Sequence, residues 1–123
     1  MKIFKEVVQT PEFQKDLKKL SKRFRSLPED LDNFVRIQLN LYHKQNLDNG
    51  GIFQLSSLPF AEPKVYKAKK FACKALKGRG AKSGIRIIYA YFNPEDRVEL
   101  VEIYFKGDQI NEDRQRVLRL YAD

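Results

Sequence analysis

Apolar residues recur at helical spacing along the first third of the chain, and past residue 63 the period drops to two. Residues 3–8, I-F-K-E-V-V, are a short β-rich run. Gln9-Thr10-Pro11-Glu12 then carries the marks of a helix start, with Thr10 as cap, Pro11 at the first position and an acid in the first turn. Phe13, Leu17, Leu20 and Phe24 fall on one stripe while Lys15, Lys18, Lys19 and Lys22 point away, so the spacing predicts an amphipathic helix with a solvated lysine face. Ser26-Leu27-Pro28-Glu29 reads as a capping box that opens a second helix, carried by Leu31, Phe34, Val35, Ile37, Leu41 and Tyr42. The two helices are expected to form a hairpin. Residues 46–51, N-L-D-N-G-G, break the second one, and a loop is expected through Pro59 and Pro63.

Residues 65–71 then alternate as a strand, which puts Lys67 and Lys69 on one face and Tyr66 and Ala68 on the other. Residues 74–83 form a basic connection, and residues 85–92, I-R-I-I-Y-A-Y-F, are the most apolar run and hence a central strand. Asn93-Pro94-Glu95-Asp96 has the residues of a type I turn, leading into residues 98–105 as the returning antiparallel strand. Parity groups Leu100, Glu102, Tyr104 and Lys106 on one face of it. A last helix follows, with Glu112 and Asp113 at its start and Val117, Leu118 and Tyr121 inward. The order is β-α-α-β-β-β-α. Such an order predicts an α+β fold, one domain over residues 1–123, whose antiparallel sheet carries the N-terminal helical hairpin on one face and leaves the other open for function.

Charge changes that picture. Residues 64–86 hold nine Lys and Arg and no Asp or Glu, whereas the remaining hundred residues hold fifteen basic against sixteen acidic, so the net +8 is local. Like charges so concentrated are tolerated where a polyanion or an acidic partner neutralises them. Lys70, Lys74, Lys77, Arg79 and Lys82 are therefore candidates for a sequence-independent grip on an RNA backbone, with Tyr66, Phe71, Tyr89 and Tyr91 as aromatic surfaces that are either core or base platforms. A 42% hydrophobic, 33% charged composition is that of a soluble globular chain. The longest nearly apolar run, residues 87–92, is too short to cross a bilayer, and residues 1–6 lack a secretory core, so no membrane role and a cytoplasmic location are expected. One cysteine, Cys73, and one histidine, His43, supply no disulfide and no zinc spacing. His43 is expected at the surface and Cys73 as a buried, inert thiol. No metal and no cofactor are expected.

The residues V-Y-K-A-K at 65–69, S-G-I-R-I-I-Y at 83–89 and V-E-L-V-E-I-Y-F-K-G-D at 98–108, spaced as hairpin-linked strands after a helical pair, resemble the RelE/ParE superfamily of type II toxins, in its RelE and HigB-like mRNA interferase branch. The resemblance runs from about Phe13 to the last helix. It implies a bacterial toxin that cleaves messenger RNA on the ribosome and is neutralised by a cognate antitoxin protein, with DNA contact only through the toxin–antitoxin complex. Carried over by position, the paired strand lysines fall on Lys67 and Lys69, the arginine of G-x-R-x-x-Y on Arg86 and the basic residue after the last strand on Lys106. The chain departs from the RelE pattern at Gly107, where that pattern has an arginine, and offers only Tyr104 and Tyr121 for its last-segment tyrosine.

The chemistry such a site would perform is cleavage of RNA by its own 2′-hydroxyl. A proton must leave that oxygen, charge must be stabilised on a five-coordinate phosphate, and the departing 5′-oxygen must be protonated. Arg86 fits the phosphate clamp because its planar fork donates two parallel bonds. A lysine serves as a base once neighbouring positive charge lowers its pKa, so Lys67 and Lys69 are expected as base and electrostatic stabiliser, with Lys106 as acid or phosphate ligand. No carboxylate in residues 64–86 is available to hold Mg²⁺, so the reaction is expected to be metal-independent. The alternatives are a ParE-like toxin that binds DNA gyrase without chemistry of its own, and an RNA-binding relic without activity.

Overall fold

A computed structural model describes residues 3–76 and 78–122. Its five-stranded sheet consists of β1 (Glu6–Gln9), β2 (Ile52–Gln54), β3 (Lys64–Ala68), β4 (Ile85–Phe92) and β5 (Arg97–Phe105) in the order β1-β5-β4-β3-β2. The hairpins around β3, β4 and β5 are antiparallel as expected. Two features are additional. β1 joins β5 in parallel, and β2, inside the stretch expected to be loop, pairs antiparallel with β3 at the opposite edge. The short alternation of residues 52–54 is too brief to stand out without its partner strand.

Helix α1 (Pro11–Ser21) starts where the sequence places it: Thr10 Oγ1 accepts from the Phe13 N–H at 3.2 Å and Pro11 occupies the first turn. Helix α2 (Leu27–Asn33) starts differently. Ser26 makes no capping bond; its hydroxyl donates to Asp30 at 2.6 Å and accepts from the Ala75 N–H at 2.8 Å, so it ties the helix to the basic connection. Beyond Asn33 the chain winds on as a π-helix, Phe34–Lys44, and the Gln45 N–H donates to the Asn40 carbonyl, five residues back, at 3.2 Å. A wider turn moves the apolar stripe. Phe34 and Leu39, five apart, are buried, whereas Ile37, inward on an α-helical period, is 47% exposed. The same winding carries His43 inward. Its imidazole is half-buried among Phe4, Tyr42, Tyr66, Tyr89 and Tyr91, against the expectation of a surface residue.

α1, α2 and the π-helix cover one face of the sheet over Phe13, Leu27, Leu39, Tyr66, Ile87, Tyr89 and Leu100. The other face is not open. Helix α3 (Arg114–Tyr121) and the segment carrying Leu55, Leu58 and Phe60 pack on it over Val65, Ile88, Ala90, Val101 and Tyr104. Polar contacts hold α3 there: Arg116 bonds Asp16 at 2.6 Å and the Val101 carbonyl at 2.9 Å, and Tyr121 donates to Glu99 at 2.7 Å. A register shift between Ile88 and Tyr89 leaves Val101 as an extra residue opposite β4. It breaks the parity of β5, so Leu100 packs under the helical hairpin while Tyr104 packs under α3.

Candidate nucleic-acid interface

β3 and β4 end where the basic connection between them turns, and that turn builds a depression at one end of the sheet. Ser83, fully buried, accepts from the Ile85 N–H at 3.1 Å and donates to the Phe71 carbonyl, and Phe71 bridges to Lys82. Gly84 sits at φ +87°, where a Cβ would lie 3.2 Å from the Phe105 ring, so the chain passes close over β5 only because no side chain is present. The Lys106 N–H closes the corner on the Gly84 carbonyl at 2.8 Å. Around this corner Lys69, Lys70, Arg79, Lys82, Arg86 and Lys106 line an open depression with a cavity volume of ≈ 560 Å³. None of the six has a carboxylate oxygen within 4 Å among the described residues. The Arg86 guanidinium is oriented by a bond from Nη1 to the Lys69 carbonyl at 2.9 Å.

Three of the four residues expected to act together, Lys69, Arg86 and Lys106, thus share one depression with Lys70, Arg79 and Lys82. Lys67 does not line it. Its side chain bonds Glu112, just ahead of α3, at 2.8 Å and lies 5.9 Å from the centre of the Tyr104 ring. A lowered lysine pKa was the expectation for Lys67, and the direction is the opposite. Burial disfavours its charge, but the bond to Glu112, with the Tyr104 hydroxyl nearby, outweighs that and holds its pKa above the usual lysine value. Glu112 responds in kind: burial works to raise its pKa, and Lys67 with Arg114 holds it below the usual glutamate value. Glu112 was legible in the sequence only as a first-turn acid, because its partner lies 45 positions away.

Lys74 stands apart as well, paired with Glu29 on α2, while its backbone N–H donates to the buried Asp30 carboxylate at 3.1 Å. The pairing raises its pKa. Lys77 lies outside the described residues. Tyr66, Phe71, Tyr89 and Tyr91 are all buried in the core, so none offers a face to a base. Cys73 is buried, and burial pushes its thiol pKa up, as expected of an inert thiol. His43 Nε2 meets the Tyr89 hydroxyl at 2.7 Å, and burial, with Lys44 adding to it, lowers its pKa to about 4. Among the described residues no three His, Cys, Asp or Glu side chains come together as a metal-binding group, and no helix is long and apolar enough to cross a membrane.

No protein-family model matches the sequence, and no curated protein matches it. Solved structures do. A toxin from Helicobacter pylori, described as metal-bound, superposes with a TM-score of 0.52 at 19% identity, covering 85% of this chain and 98% of that one. This chain shares the fold of that toxin. The archaeal RelE–RelB complex from Pyrococcus horikoshii superposes at 0.48 with 14% identity, over 83% of this chain and 94% of that one. The cationic depression lies on this shared fold at the β3–β4 turn and the end of β5, where the side chains of three separate segments meet.

Proposed function

We propose that this protein is the toxin of a type II toxin–antitoxin pair and acts in the cytoplasm as an endoribonuclease on messenger RNA at the ribosome. One observation carries the reading: six cationic side chains without a carboxylate among them line a single depression on a RelE-like fold. Such a surface favours a polyanion, and its open form admits a strand of RNA. Arg86, already oriented through Lys69, presents its fork to two non-bridging oxygens of the scissile phosphate. Lys69 takes the proton from the 2′-oxygen, which attacks phosphorus. Lys106 protonates the departing 5′-oxygen, leaving a 2′,3′-cyclic phosphate and a 5′-hydroxyl. Lys70, Arg79 and Lys82 hold the flanking backbone. The lining has no carboxylate to hold a divalent ion, which supports a reaction run by these side chains. A cognate antitoxin, neutralising the same cationic surface, completes the proposal.

Binding without cleavage is the second reading, and one observation favours it: no His, Tyr or carboxylate lines the depression. Toeprinting of a translated message separates the two. The nuclease reading expects new cuts within codons, lost in the Lys69→Ala/Arg86→Ala variant while its circular dichroism is unchanged. Bound but intact message would leave the binding reading, and undiminished cuts by the variant would remove the site assignment.

A further inference from the structure

Two phenylalanines that the catalytic scheme does not use adjoin the cationic depression: Phe105 lines it but packs against the core, and Phe53 stands exposed beside it. An isolated exposed phenylalanine needs no explanation. This one differs in its placement. It is 46% exposed on the three-residue edge strand β2, and Lys69 Nζ, which belongs to the depression, stands 5.0 Å from its ring centre. Its position is fixed by the residues before it. The Lys69 N–H donates to the Gly51 carbonyl at 2.8 Å, and Lys70 Nζ donates to the Asn49 carbonyl at 2.8 Å. Gly51 makes room for the Lys70 stem, which a Cβ would meet at 2.8 Å. Pairing of Phe53 with Lys67 then sets the register of β2. Two of the six cations that line the depression, Lys69 and Lys70, thus also anchor the segment leading into the strand that carries the ring.

We propose that Phe53 is a base-stacking platform for single-stranded RNA whose phosphates occupy the depression, an inference that rests on the nucleic-acid reading of that site. Every base has a π-face, so the stack is tolerant of sequence, and the cation over the rim of the ring is placed to meet the phosphate of the stacked nucleotide. Bases in a duplex stack on one another and leave none for Phe53. The platform therefore selects single strands, while the six cations alone select only for charge.

The test is anisotropy of two fluorescein-labelled ten-nucleotide oligoadenosines, 2′-O-methylated so that neither can be cut, one with bases and one abasic throughout. Phe53→Ala is expected to weaken binding of the base-bearing strand by about tenfold and to leave the abasic strand unchanged. Phe53→Trp is expected to restore the difference and Phe53→Leu, apolar but without a π-face, is not. Equal affinity of wild type and Phe53→Ala for the base-bearing strand would overturn the stacking proposal and leave the depression as an RNA site, as would an equal loss on the abasic strand. Failure of the wild type to bind either strand at 50 mM salt would overturn both.

Discussion

Replacing Glu112 by Gln tests whether Lys67 serves the fold. The pair is 2.8 Å apart, with side chains only 12% and 10% exposed. At that separation the attraction is roughly 6 kcal/mol at an effective dielectric near 20, before the cost of taking both charges out of water is set against it. Removing one partner leaves the other charge buried and unanswered, which costs about 3–5 kcal/mol in a fully buried pair. Some access to water remains here, so about 2–3 kcal/mol is expected of Glu112→Gln. Urea denaturation would read this as a midpoint lowered by about 1–2 M at unchanged slope. Lys67→Met with Glu112→Leu removes both charges and is expected to recover most of the loss. The pH dependence has a fixed sign. Glu112 has its pKa held down by Lys67, so its contribution is complete above the ordinary value of 4.5 and falls away as pH drops through the folded value. Lys67 has its pKa held up, so its share is complete below the ordinary value of 10.5 and is lost only as pH rises through the folded value. A Glu112→Gln loss under about 0.5 kcal/mol, or a double variant as unstable as the sum of the singles, would refute a structural role for the pair.

Three further outcomes are expected. If all six cations of the depression meet phosphates, the logarithm of RNA affinity should fall with the logarithm of salt at a slope of about −4, a loss of roughly 300-fold between 50 and 200 mM, and Arg79→Gln should reduce the slope by about 0.7; a slope untouched by that change would remove Arg79 from the contact. The imidazole resonances of His43 should titrate near 4, and because the unfolded chain binds its proton near 6.5, stability should decline as pH falls from 6.5 towards 4, more steeply than in His43→Leu; a midpoint near 6.5 by NMR would contradict the buried setting. Leu39→Ala should cost about 2–5 kcal/mol and Ile37→Ala less than about 0.5 in urea unfolding, the reverse of what an uninterrupted α-helix would give.

The sequence by itself determined what depends on neighbours in the chain. Thr10 and Pro11 start α1 because capping is decided within one turn, and the nearly continuous apolar run of residues 85–92 marks a central strand because burial on both faces needs apolar residues at almost every position. The order β-α-α-β-β-β-α, short only of β2, followed from such local signals, and so did the concentration of charge in residues 64–86. What the tertiary structure decided is which side chains meet. Lys67 and Lys69 are two residues apart and alike in type, yet one ends against Glu112, just ahead of α3, and the other at the rim of the depression, because β3 stops at Ala68 and the chain beyond it turns into the basic connection. The extra residue at Val101 re-aims the second half of β5, and the π-helix re-aims Leu39 and His43; each shifts a face by one position, a change that periodicity cannot register. Phe53 became a candidate only when β2 found β3, since a three-residue strand has no identity apart from the pairing that makes it.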